Sequence, residues 1–180
     1  TKMSGRGKLV LTGQLGEVMK ESARAALSWI RSNAERWSID EDFFNGCDIH
    51  VHVPAGAIAK DGPSAGIAIL AALVSLLTDK LVKSELALTG EISLRGNVLP
   101  IGGIKHKVLA ARRAGIKEII LPRKNEHNVA DLTEEVKEGI SFIFVDQMDE
   151  VIANSLASYP LDEGQRNLPF KQSVETNIFH

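Results

Sequence analysis

From Ser64 to Leu77 every position except Ser64, Gly66 and Ser75 is apolar. A segment without a polar face is a helix buried on nearly all sides, so the centre of the core is expected here. The longest apolar run, Ile67 to Leu77, falls well short of the roughly 20 residues that a membrane span requires, and no membrane partner is expected. No apolar stretch follows a basic segment at the start of the chain, so no secretory signal is read. With 180 residues there is room for one domain with a substantial core, expected over residues 1–158, and a loosely held tail over 159–180 where periodicity fades. The chain begins at Thr1 rather than Met and is expected to be a processed product or a piece of a longer protein. Its net charge of −2 leaves no basic footprint for nucleic acid. The single cysteine, Cys47, cannot form an internal disulfide; it reads as a small buried hydrophobe and suits a reducing, cytoplasmic setting.

The flanking segments alternate in type. Leu9-Val10-Leu11 reads as a short strand, and Val18, Met19, Ala26, Leu27 and Ile30, with charges between them, give helical spacing within Gly13 to Trp37. Asp48 to Val53 alternates polar and apolar residues, a strand with His50 and His52 on one face, ended by Pro54. Arg95-Gly96-Asn97 reads as the turn of a hairpin joining Leu86–Ile92 to Leu94–Ile101. A helix is expected from about Gly103 to Ala114 and stops at Gly115. A strand at 117–121, a helix from Val129 to Glu138, a strand from Ser141 to Val145 and a helix from Met148 to Ala157 follow. This alternation defines an α+β or mixed α/β domain.

The chemistry centres on KDGPSAG, Lys60 to Gly66, which fits the pattern G-x-S-x-G of a nucleophile elbow. An elbow needs a strand running directly into the serine, whereas Pro63 cannot donate in a central strand, so a Ser–His–Asp hydrolase is rejected. Two readings of Ser64 remain: an N-cap of the apolar helix, or a nucleophile activated by a base other than histidine. Lysine can be that base. On a helical wheel of about 100° per residue, Lys107 falls inside the apolar stripe of Ile104, Val108 and Ala111, while Lys105 falls beside Arg112 on the watery side. Burial disfavours a charged ammonium and would make Lys107 a base; the alternative is a stem packed on the core with its amine reaching solvent. His50 and His52 lack a third ligand at metal spacing and read as structural.

Three ordered stretches, GKLVLTGQLGEVMKESA (Gly7–Ala23), DIHVHVPAGAIAKDGPSAG (Asp48–Gly66) and ALTGEISLRGNVLPIGGIKHKVLAARRAGIKEIILP (Ala87–Pro122), strongly resemble the proteolytic domain of bacterial Lon, an ATP-dependent serine protease family, of the A type. The resemblance covers about residues 5–157. It implies an α+β fold similar to the ribosomal protein S5 domain 2-like fold, and a Ser–Lys dyad in which Ser64 is the nucleophile and Lys107 the general base. It further implies that Thr89 orients the lysine amine, that Asp61 lies near the serine where it would restrain the lysine, and that the N–H near Ala65 stabilises an oxyanion. The family implies unfolded or damaged proteins as substrates, a homo-hexameric ring, and an AAA+ domain that binds ATP and Mg²⁺. No G-x-x-x-x-G-K-[ST] loop occurs in these 180 residues, so no nucleotide or metal cofactor is expected on them. The rival expectation is a catalytically silent Lon-like module serving ring assembly.

Overall fold

The computed structural model of the protein describes residues 1–40, 43–54 and 61–160. Strands β1 (Lys2–Ser4) and β2 (Leu9–Gly13) lead into helix α1 (Glu17–Ser32), and a short α2 (Phe43–Gly46) precedes β3 (Cys47–Val53). A 3-10 turn, Pro63–Ala65, opens α3 (Gly66–Thr78). The short strands β4 (Lys80–Val82), β5 (Leu86–Leu88), β6 (Glu91–Ile92) and β7 (Val98–Leu99) follow. Then come α4 (Ile104–Arg113), β8 (Glu118–Pro122), α5 (Glu126–Ala130), α6 (Glu134–Lys137), β9 (Ser141–Val145), α7 (Met148–Ser155) and β10 (Leu156–Pro160). The architecture is mixed α+β.

Strands β5, β8 and β9 form a parallel sheet with β8 in the middle. A central parallel strand must be apolar on both faces, and the run Ile119-Ile120-Leu121 meets that demand with all three side chains buried. Ile120 joins the larger core, with Ile30 from α1, Ile67, Leu70 and Val74 from α3, and Met148 and Ile152 from α7. Ile119 and Leu121 point the other way and pack with Ile104, Val108 and Ala111 of α4. The sheet is therefore sandwiched, with α3 and α7 on one face and α4 on the other.

Several boundaries differ from the sequence reading for local reasons. Helix α1 is shorter than Gly13–Trp37 because Asn33 donates its side-chain N–H to the Trp29 carbonyl at 2.9 Å, and the chain then tightens into a separate 3-10 turn at Glu35–Trp37. Helix α3 is not buried all round: Ala72 is exposed, and Ser75, Leu76 and Leu77 are half-buried. The expected hairpin shrinks to Glu91–Leu99 and Ile92–Val98 pairing, since Leu86 and Leu88 pack on the larger core and β5 pairs instead with β8. The expected 129–138 helix splits into α5 and α6 where Leu132 turns into the smaller core. Strands β1, β4 and β10 were not foreseen; β10 pairs with β4 where a helix end had been expected. Cys47 is half-buried rather than buried. The tail expected over 159–180 lies, beyond Pro160, outside the described residues.

The turn between β1 and β2 is held by Asp48 of β3. Its Oδ1 accepts the Arg6 N–H at 2.7 Å and the Lys8 N–H at 2.8 Å. These bonds, the one from Lys8 foremost, hold the carboxyl below its ordinary value of 3.8. A depressed folded-state pKa means that the ionised form is the stabilised one. The contribution is complete above 3.8 and disappears as pH falls through the lower folded value. Asp48→Asn is expected to lower the urea midpoint at neutral pH, and the gap to wild type to close as pH drops below 3.8; denaturation at stepped pH values checks this.

Candidate active site

The approach to Ser64 is set by three successive residues. Asp61 Oδ1 accepts the N–H of Gly62 at 3.0 Å. Gly62 adopts φ 139° with ψ 152°, a conformation open to glycine and strained for any other residue. Pro63 then opens the 3-10 turn at its first position, where a missing N–H costs nothing. Ser64 is the second residue of that turn. It is not the N-cap that one sequence reading allowed, because the turn begins before it and its hydroxyl is engaged elsewhere.

The hydroxyl meets Lys107. The lysine Nζ lies 3.2 Å from Ser64 Oγ, a contact that is part-buried and spans opposite faces of the sheet. Lys107 sits one turn into α4 and is half-buried, whereas Lys105 two positions earlier is exposed, the division drawn on the helical wheel. An apolar hollow of about 340 Å³ beside the pair has Lys107 in its wall, together with Ala87, Thr89, Ile104, Val108 and Leu121 among others. Lys107 thus runs among apolar residues, as in the reading of a stem packed on the core, but its amine ends at the serine. His106 and His127 are exposed, and neither bonds Ser64.

The backbone of Ser64 is fixed from the side of β5. Its carbonyl accepts the Gly90 N–H at 2.9 Å and the Thr89 hydroxyl at 3.3 Å. Thr89 N–H in turn bonds the Ile120 carbonyl of β8, which ties the serine to the central strand. Thr89 therefore bonds the Ser64 main chain, and it lines the same hollow as Lys107. Ala65 follows Ser64 within the turn. Asp61 is three positions before the serine, but its carboxylate is turned to α1, where it accepts the Met19 N–H at 3.1 Å; among the described residues it forms no ion pair with Lys107. His50 and His52 both bond Thr12 on β2, at 2.7 and 2.8 Å. Neither the Thr12 bridge nor the Gly90 N–H was read from sequence, since a backbone donor and a cross-strand neighbour leave no local signature.

Serine and amine meet just past the C-terminal end of β5, the edge of a parallel sheet at which helices of an open α/β layer leave room for a ligand. Comparison with known proteins places this arrangement first by class: residues 1–158 match the family model described as the Lon protease (S16) C-terminal proteolytic domain. The chain belongs to the Lon protease family. It is 62% identical over 157 residues to the Lon protease of Syntrophus aciditrophicus, covering 87% of this chain and 20% of that protein. To the Lon protease of Desulfosudis oleivorans it is 53% identical over 176 residues, 98% of this chain and 22% of the relative. To that of Aquifex aeolicus it is 58% identical over 161 residues, 89% and 20% respectively. The chain thus spans about a fifth of the length of the curated relatives it matches.

One contact can be tested without reference to activity. Thr89→Val keeps the β-branched shape and leaves the Ser64 carbonyl its bond from Gly90, so a stability loss of only about 0.5–1.5 kcal/mol is expected from urea unfolding.

Proposed function

We propose that this chain is the serine endopeptidase domain of an ATP-dependent Lon protease, hydrolysing peptide bonds of unfolded, damaged or regulatory proteins through an acyl-enzyme on Ser64. The observation that carries the proposal is the 3.2 Å separation of Lys107 Nζ and Ser64 Oγ. That distance serves either direction of donation. With the amine unprotonated, the hydroxyl donates to Nζ and is activated as a nucleophile. As Oγ attacks the substrate carbonyl carbon, its proton passes to Lys107. The tetrahedral intermediate then collapses, the C–N bond breaks, and the ammonium of Lys107 returns the proton to the leaving amine. A water activated by the same amine cleaves the ester and frees Ser64.

The other residues have supporting roles in this reading. The first N–H groups of a helical segment lack a carbonyl partner within it, which suits those of Ser64 and Ala65 to the developing oxyanion. Thr89 and Gly90 steady the serine main chain. Among the described residues no helix is long and apolar enough to cross a membrane, in keeping with the cytoplasmic location that we propose. Nucleotide hydrolysis is assigned to an AAA+ domain on sequence outside these residues, within a homo-hexameric ring.

A fluorophosphonate probe with a fluorogenic peptide distinguishes this domain from a silent assembly module. Ser64→Ala is expected to abolish both labelling and turnover at unchanged fold. Lys107→Gln should remove turnover, and Lys107→Arg should not rescue it because guanidinium stays protonated, while exposed Lys105→Gln retains most of it. Equal loss in the Lys105 and Lys107 variants would falsify the assignment of the base.

A further inference from the structure

Helix α1 starts without a cap of its own. Its N-cap position is Gly16, which has no side chain to bond the first N–H groups. The need is met from elsewhere in the chain: Asp61 Oδ1 takes the Met19 N–H, the third of the helix, as a capping side chain would. The fit is close. A Cβ built on Gly16 would lie 2.1 Å from Asp61 Cγ, so only glycine leaves room for the carboxylate. The same oxygen also accepts the Gly62 N–H and so bridges the helix to the arm that carries the nucleophile. Gly62 and Pro63 are the only residues between Asp61 and Ser64, one held in a glycine-only conformation and the other with φ fixed by its ring.

We infer that Asp61, seated on Gly16, is a positioning residue for the Ser64 nucleophile: it buckles the Gly62–Pro63 arm to the N-terminus of α1 and sets where Oγ lies relative to Lys107. The inference rests on the Ser64–Lys107 reading above and gives the acid a different task from restraining the lysine. Ser64 is then held from two sides. Thr89 and Gly90 grip its carbonyl from the sheet, and Asp61 anchors the chain ahead of it to a helix whose buried face, Ala23, Ala26, Leu27 and Ile30, belongs to the rigid core. The positive end of the α1 dipole favours a carboxylate at this point. Glu17 shares that end but is drawn to Lys20, 2.6 Å away, and makes no bond to the arm. Because the carboxylate acts by accepting two N–H bonds, an amide oxygen in its place can do most of the same work.

The test measures, in the intact protein, the rate and pH dependence of fluorophosphonate labelling at Ser64 together with the thermal midpoint. Asp61→Ala is expected to slow labelling by about ten- to a hundred-fold, the scale of a misplaced reacting group, with the half-maximal pH unmoved. Asp61→Asn keeps an acceptor and is expected to stay within about threefold of wild type. Gly16→Ala leaves the acid present but denies it its seat; it should label as slowly as Asp61→Ala, and it replaces that variant should the latter not fold. The decisive protein is the double variant Asp61→Ala with Gly16→Ser, in which a serine fills the vacated space and caps α1 locally. It is expected to recover the thermal midpoint and not the labelling rate. Recovery of both would reduce Asp61 to a helix cap and overturn the inference, as would wild-type labelling by Asp61→Ala. Labelling by Asp61→Asn that is faster than wild type by more than that threefold margin, or a shifted half-maximal pH, would also overturn it by showing that the charge acts on the lysine. Absence of label on Ser64 in the wild type would instead overturn the proposed function and this role with it.

Discussion

Strand β8 is the element on which the rest of the domain is assembled. It lies between β5 and β9 and is covered on both sides, so alternate residues must recruit two different partners. Ile120 is fully buried among α1, α3 and α7, and Ile119 and Leu121 serve α4. Two helices that would otherwise share no surface are thereby fixed relative to one sheet. Their N-terminal ends come together only beyond the edge strand, where β5 stops at Leu88 and Thr89 turns back to bond the β8 carbonyl of Ile120. The serine arrives on the turn before α3 and the lysine one turn into α4, from opposite faces. A side chain as long as lysine, its stem lying along the apolar hollow, closes the remaining distance.

This arrangement separates rigidity from access. Each of the two groups in the proposed dyad is anchored by apolar packing at some remove from its polar atom: Ser64 through Ile67 and Leu70 of α3, Lys107 through Ile104 and Val108 of α4. The atoms themselves sit only partly buried. In the proposed reaction a substrate would approach without disturbing either core, and neither core needs to contain an unpaired charge to place the amine. The cost of ordering a long side chain at the site is met by contacts that would exist for folding alone.

What could be read from sequence follows from periodicity and from the resemblance, and what could not follows from long-range pairing. The apolar run after Ser64 and the wheel around Lys107 were legible because burial over a helix leaves a pattern in consecutive residues, and that pattern separated Lys107 from Lys105 correctly. The strands at 117–121 and 141–145 were legible as short apolar runs, but their parallel pairing was not. Strands of three residues such as β1 and β4 carry no period, and β10 is defined by its partner rather than by its own composition. At the site, the family resemblance implied Thr89 beside the lysine and Asp61 near the serine but not the main-chain groups they hold. Thr89 grips a carbonyl and Asp61 a helix end, and both partners are main-chain groups that every residue type shares. The glycine at the α1 N-cap position, which offers no capping side chain, was not read from sequence as a seat for Asp61.

The pairing of β2 with β3 contains one further constraint, in the hydroxyl of Thr12 between His50 Nε2 and His52 Nδ1. A hydroxyl has a single proton to give, so the two imidazoles cannot both face it with bare nitrogens. At least one ring must present an N–H, which rules out the combination of His50 protonated only on Nδ1 with His52 protonated only on Nε2. Either ring can gain a second proton and still donate to the oxygen, which has two lone pairs to accept with. The link between the strands is thus a constraint on where protons sit and not on how many there are: with both rings neutral, at least one of the two nitrogens facing Thr12 has to be the protonated one.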